Sequence, residues 1–488
     1  MRAHFCWMVL LTLPLAAFAH VGSPDVYFEG NAGPYHLLVT IRPPAVVPGV
    51  AQIQVRSLSG ELNGIEIRPL TMQGPGASLA PRPDAMRLAT DDPQLYTGNL
   101  WIMLRGSWKV QLQVEGKQGK GELAVPVAAV SMTAARMGRG TGALLGGFGL
   151  LLAIALVSIV RAANGQAQLE PRQSLTPSLK RRAYIGMSVG AVVILMLLVL
   201  GDLWWGLEAS ANSKMVYRVP HLAASLQPSG RLLVRLENPN SASADPEARD
   251  SWAQAIEMSD LVPDHGHLMH LFLISMPEMK SFWHLHPDQT SELEFAANLP
   301  ALPRGHYQLY ADIVHNTGFP ETQMGAIDLP ALARQALTGD DSGGAVLASS
   351  DKVAQLSDGY RMVWEPTPAP LRAQQAIILR FRVEDEDGKP AANLKNYMGM
   401  AGHAVFVSDD GKVFAHVHPE GSVSMAALAI AQSAGDASGK MNAMDHGPMS
   451  AEVSFPYGFP HPGNYHLFVQ VKRAGHVETG EFVAHVGE

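Results

Sequence analysis

The chain has 488 residues, more than one ordinary core accommodates, so about three domains are expected. Hydrophobic residues make up 47% and charged residues only 16%, a balance that puts part of the chain in lipid. The net charge of -8, with no block of Lys and Arg interleaved with aromatics, excludes a nucleic-acid surface.

At the N-terminus, Arg2, an apolar run from Phe5 to Leu15 and then Ala17-Phe18-Ala19 follow the order of a secretory signal peptide. It is predicted over 1–19, with His20 as the first mature residue. The only cysteine, Cys6, lies inside that segment, so the mature chain would hold no thiol. Any soft-metal chemistry then falls to His and Met.

Residues 20–137 are predicted to be an all-β sandwich on the N-terminal side of the membrane segment. Period-two runs such as Tyr35-His36-Leu37-Leu38-Val39-Thr40-Ile41, Ala51-Gln52-Ile53-Gln54-Val55 and Trp108-Lys109-Val110-Gln111-Leu112-Gln113-Val114 are parted by Pro and Gly turns. Gly106-Ser107-Trp108 stands before a strand, a returning strand follows, and then an apolar helix. In this layout the domain resembles the YtkA/FixH-like and CopC-like immunoglobulin-type domains of bacterial membrane proteins, including periplasmic copper-resistance proteins. That resemblance implies a copper-ligating role for His20 at the head of the mature chain. The family's other ligands have no match here, and His36 is the only other imidazole in the domain.

Two uncharged runs, Gly140 to Val160 and Ala183 to Gly201, are each long enough to cross a bilayer as a helix. The predicted spans are 140–161 and 183–206. The intervening 162–182 is a cytoplasmic loop by the positive-inside rule, with Arg172, Lys180, Arg181 and Arg182 against Glu170, and Arg161 at its edge. Both flanking regions are then periplasmic and the chain sits in a bacterial inner membrane. Gly142 with Gly146, and Gly186 with Gly190, have the spacing of close-packing helix faces.

Beyond the helices lies an internal repeat, which predicts tandem sandwiches over 213–335 and 351–488 with a polar linker from Thr338 to Ser350. In the first copy, Met269-His270-Leu271-Phe272-Leu273-Ile274-Ser275 is followed by Phe282-Trp283-His284-Leu285-His286-Pro287. In the second, Gly402-His403-Ala404-Val405-Phe406-Val407-Ser408 is followed by Phe414-Ala415-His416-Val417-His418-Pro419. The expected fold is mainly β: three immunoglobulin-like β-sandwich domains plus a two-helix transmembrane hairpin.

Each repeat places a lone His on one strand of a hairpin and His-x-His on the other. Side chains at i and i+2 share a face, so His284 and His286 project together, as do His416 and His418, with His270 and His403 folded onto them. Three imidazoles per copy are a candidate metal site, with Met269, Met398 and Met400 as thioether candidates and His265 and His267 as further imidazoles nearby. A Met/His-rich insertion over 433–450 adds Met441, Met444, His446 and Met449 on a segment with no core periodicity. Its Met-Asp-His-Gly-Pro-Met run resembles the copper-binding runs of periplasmic copper-resistance proteins. Copper is the expected ion, with zinc as the alternative. The membrane and a copper-handling or envelope protein are the expected partners. The competing reading is an envelope interaction module with structural histidines. No nucleophile elbow, His-Glu-x-x-His or phosphate loop marks an enzyme.

Overall fold

The computed structural model describes residues 24–72, 80–134, 137–167, 169–170, 173–214, 216–237, 260–332, 337, 339–345, 352–433 and 449–488. The protein is mainly β. Residues 130–217 form one compact unit and the three sandwiches together form another.

In the N-terminal sandwich the alternation read from the sequence becomes alternating burial. Along Gly49–Ser57, for example, Ala51, Ile53 and Val55 are buried while Gln52 is exposed. One sheet orders Val26–Ala32, Tyr35–Arg42, Gly49–Ser57, Leu95–Ile102 and Arg87–Leu88. The other orders Asp84–Ala85, Leu62–Thr71, Gly106–Gly116 and Gly119–Ala129.

The helices Arg139–Gln166 and Pro177–Lys214 are both long and apolar enough to cross a membrane. Leu150, Leu151, Ile159, Leu195 and Leu197 stand exposed on them, apolar surface that water would penalise and lipid would not. Both helices run past the expected spans, leaving 167–176 as the connection. Of the two glycine pairs, only one packs the hairpin. A side chain at Gly186 would strike Asn164 and one at Gly190 would meet Val160, whereas Gly146 faces open space.

Each repeat is a two-sheet sandwich. In the first, Leu222–Leu226, Arg231–Leu236, Glu294–Asn298 and Asp288–Gln289 form one sheet. The other is ordered Pro320–Leu329, Gly305–Val314, His270–Met276, Ser281–Leu285 and Ser342–Ala345. The last of these strands lies inside the stretch expected as linker. Its small residues Ser342, Gly343, Gly344 and Ala345 pair with Ser281–Leu285, a strand that otherwise presents an open edge. In the second repeat, Val353–Gln355, Arg361–Trp364, Ile377–Glu384 and Glu452–Tyr457 face a sheet built on Leu394–Lys395, Gly463–Arg473, His403–Ser408 and Phe414–Val417. His476–Val486 pairs with Gly463–Arg473 in that sheet.

The sandwiches are not beads on a string. Phe272, Ile274, Phe282 and Tyr310 of the first repeat share one buried cluster with Val405, Val407, Phe414 and Phe468 of the second. The N-terminal sandwich docks on the segment after His418. Tyr27 exchanges hydrogen bonds with Ser422, and Glu29 N–H donates to the Glu420 carbonyl at 2.7 Å. Val423 and Leu428 enter its core, and Lys109 Nζ donates to the carbonyl of Ala431 at 2.8 Å. Leu428 and Ala431 belong to a helix, Met425–Ser433, which the strand pattern of this region did not announce.

Candidate metal centre

The hairpin register brings the histidines of each repeat together. In the first, Leu271 pairs with Leu285, so the next step of the ladder sets His270 opposite His286. In the second, Ala404 pairs with Val417 and His403 comes opposite His418 in the same way. Within each His-x-His the two rings lie on one face, 4.6 Å apart by centroid for His284 and His286 and 4.5 Å for His416 and His418.

The expectation of one three-histidine site per copy is corrected in its membership. His270, His284 and His286 do converge, with ligand atoms all within 4.8 Å of one another. The second such group is His403, His418 and His265, the last from the first repeat. His416 stands between the two groups, its ring 5.3 Å from His270, 5.6 Å from His284 and 5.6 Å from His403. His267 stacks on His286 at 4.0 Å. Among the described residues, eight imidazoles thus form one continuous cluster where the two repeats meet.

The two repeats face each other through reciprocal contacts, as in an isologous interface. Asp312 and Gln470 occupy the same place in their sheets, opposite His270 and His403. Gln470 Oε1 of the second repeat lies 3.0 Å from His284 Nδ1 of the first. In return, Asp312 Oδ2 of the first lies 3.3 Å from His416 Nδ1 of the second. Tyr310 stacks on Phe414 at 4.2 Å, and its counterpart Phe468 stacks on Phe282 at 4.6 Å. The turn Asp264-His265-Gly266-His267 matches Tyr397-Met398-Gly399-Met400. Each is closed by mutual hydrogen bonds between its end residues, with left-handed φ at its two central positions. His265 therefore corresponds to Met398 and His267 to Met400, and the turns touch where His265 Nδ1 lies 2.9 Å from the Met398 carbonyl oxygen.

One ring nitrogen of most of these histidines is held by an acceptor, which fixes the tautomer and aims the other nitrogen inward. Nδ1 of His286 is 3.1 Å from Asp341, and Nδ1 of His418 is 3.0 Å from the Val423 carbonyl. His270 Nε2 is 3.1 Å from the Asp264 carbonyl and its Nδ1 is 2.9 Å from His284 Nε2. The inward nitrogens are the unusual ones. Nε2 of His265, His286, His416 and His418, and both nitrogens of His403, are buried without a hydrogen-bond partner. An unsatisfied buried polar group costs roughly 1–3 kcal/mol, so such a concentration marks a position that something else completes.

Burial holds the imidazoles in the form that a metal needs. His270, His284, His403 and His416 lie well below the ordinary imidazole range because they are buried, and neighbouring imidazoles push them further. Burial also lowers His265 and His286, and brings His418 down to about 3. Neutral rings keep the lone pair that coordination uses. Carboxylates ring the cluster: Asp312 and Asp341 at the distances above, Asp340 3.7 Å from His267, and Asp264, raised by burial.

The thioether candidates divide. Met269, at the repeat position of Gly402, is fully buried. Met449, expected on a strip outside any core, packs against the core of the second repeat because that segment rejoins the sheet at Glu452. Met398 and Met400 sit on the turn beside the cluster. His20, Met441, Met444 and His446 lie outside the described residues. Sequence reasoning passed over Asp312, Gln470, Asp340 and Asp341. A usable signal existed for two of them: Gly305-His306-Tyr307-Gln308-Leu309-Tyr310-Ala311-Asp312 and Gly463-Asn464-Tyr465-His466-Leu467-Phe468-Val469-Gln470 end on a polar residue at the same repeat position.

A family model described as a domain of unknown function (DUF8832) matches residues 234–324 and 354–488, the two histidine repeats. No curated protein matches this chain. Among solved structures, a tetra-tandem repeat in the extending region of a large adhesion protein is similar over 94% of this chain and 82% of that one. The identity is 7% and the TM-score 0.16. The native conformation of E. coli alpha-2-macroglobulin is similar over 97% of this chain at 10% identity and a TM-score of 0.19, and this chain spans 23% of its length. Scores at this level carry no argument about function.

Proposed function

We propose that the protein is a membrane-anchored copper-binding protein that holds the ion at the junction of its two repeats and hands it to another protein in the bacterial periplasm. The observation that carries this reading is the set of buried, unpartnered imidazole nitrogens facing one another across that junction. Most buried side-chain polar atoms are hydrogen-bonded, so the interaction-module alternative leaves this concentration of unpartnered nitrogens unexplained. Imidazoles with thioethers close by and no thiol at the site favour copper over zinc. Placement in the inner membrane with the repeats outside rests on the basic residues at the connected ends of the two helices, Arg161, Arg172, Lys180, Arg181 and Arg182. The role is binding and transfer rather than catalysis.

The test uses the full chain in detergent micelles, stripped of metal and titrated with Cu(I), Cu(II) and Zn(II), beside the variant H284A/H286A/H416A/H418A. Tight copper binding that the variant loses is the expected result. If both proteins are folded and neither binds metal, the histidines are architecture. If zinc outcompetes copper, the ion is misassigned.

A further inference from the structure

We infer that the cluster holds two metal ions side by side, in two unlike sites that neither repeat builds alone. This rests on the metal-binding reading and deepens it.

The donor count comes first. A single ion takes three or four imidazoles, and among the described residues five of the eight gathered here carry a buried unpartnered nitrogen, so one ion would leave at least one of them unpartnered. The geometry then divides the donors into two groups, His270 with His284 and His286, and His265 with His403 and His418, each compact enough for one ion. The groups are contiguous: His265 lies 6.0 Å from His270 and His284 lies 6.3 Å from His403, by ring centroid. His416, with a free Nε2, lies within 5.6 Å of His270, His284 and His403 and 4.5 Å of His418, so it can serve either ion.

The second group exists only when the repeats are docked, because His265 arrives from the first repeat. The first group depends on the second repeat as well, through the Gln470 side chain that orients His284. Reciprocity of the contacts makes the difference between the halves chemical. Exchange of the repeats carries His265 onto Met398, so the turn that offers an imidazole to one half has a thioether at the matching position for the other. It likewise carries the Asp312 carboxylate onto the Gln470 amide. A thioether with an amide-oriented imidazole favours Cu(I). A further imidazole, with Asp312 held against His416 across the junction, accommodates Cu(II).

Native mass spectrometry of the full chain in detergent, loaded with Cu(I) at rising ratio, counts the ions and needs no variant. Two coppers per chain are expected. One copper at saturation overturns the two-ion inference and leaves the metal-binding reading intact, whereas none overturns both. H265A should reduce the count to one, and an unchanged count of two rejects the assignment. M398L should weaken one of the two coppers for Cu(I) and spare the other; equal weakening of both, or of neither, rejects the unlike halves. Electron paramagnetic resonance of the Cu(II)-loaded protein reads adjacency: a coupled or silent pair is expected, and two isolated signals overturn it.

Discussion

The two repeats carry the same hairpin, the same three histidines and the same register, yet they differ at the positions that complete the site. The first has His265 and His267 on its turn, where the second has Met398 and Met400. The first offers Asp312 to its neighbour and the second offers Gln470. The difference extends beyond the metal centre. Buried His315, bound to Asp260 at 2.8 Å, lies 3.9 Å from Glu321, where the second repeat instead pairs Arg473 with Glu478 at 2.7 Å. The scaffold and the register are common to both copies, and the residues at the junction differ so that each copy supplies what the other lacks.

Acid should break the comparison most severely, because both repeats concentrate neutral imidazoles at one place. An unfolded chain takes up protons near the ordinary imidazole value of 6.5, whereas the folded cluster resists them. Stability from these groups is therefore complete above 6.5 and is lost as pH falls from there toward the lowered folded values, with His418 titrating at about 3. Each group that stays neutral contributes a slope of about 1.4 kcal/mol per pH unit, so three of them would remove about 4 kcal/mol per unit. Denaturant unfolding of the metal-free protein between pH 8 and pH 5 measures this. A flat profile would mean that the cluster is already protonated or open to water. Bound metal should flatten the curve until its ligands protonate.

Next in size are the aromatic contacts that hold the repeats together. F282A and F414A each remove one member of a reciprocal stack, and each should cost about 3–5 kcal/mol of unfolding free energy. Both should also lower metal affinity, because the cluster depends on docking. Stability loss with metal binding untouched would show that the histidines assemble without the interface.

The smallest expected effect is the most discriminating. Q470L and D312L leave every imidazole in place and remove only the group that orients His284 or His416 across the junction. Each should weaken metal binding by about 10–100-fold. Competition titration should find the Q470L loss in the group around His284. That would show that a residue of one repeat tunes ligands of the other. Losses confined to the repeat that carries the mutation would sink the reciprocal reading.

Much of this was legible in the sequence. Period-two alternation announced the strands, uncharged runs announced the two apolar helices, and the repeat aligned the six histidines of the two hairpins, because each of these signals is local. Met449 misled because a methionine near a histidine looks the same in sequence whether it faces an ion or packs on a core. The strand Ser342–Ala345 read as linker because Ser-Gly-Gly-Ala has no strand periodicity, although it caps an edge and Ser342 bonds Tyr397 beside the site.

The sequence by itself determined the strand pattern, the membrane-length helices and which imidazoles share a strand face, since backbone periodicity dictates all of these. Only the tertiary structure decided that the two repeats meet at their histidines, that His265 crosses over to His403 and His418, and that Asp312 and Gln470 are exchanged. Those pairings join residues more than a hundred positions apart, and they follow from how two apolar sheet faces bury one another, which no local spacing encodes.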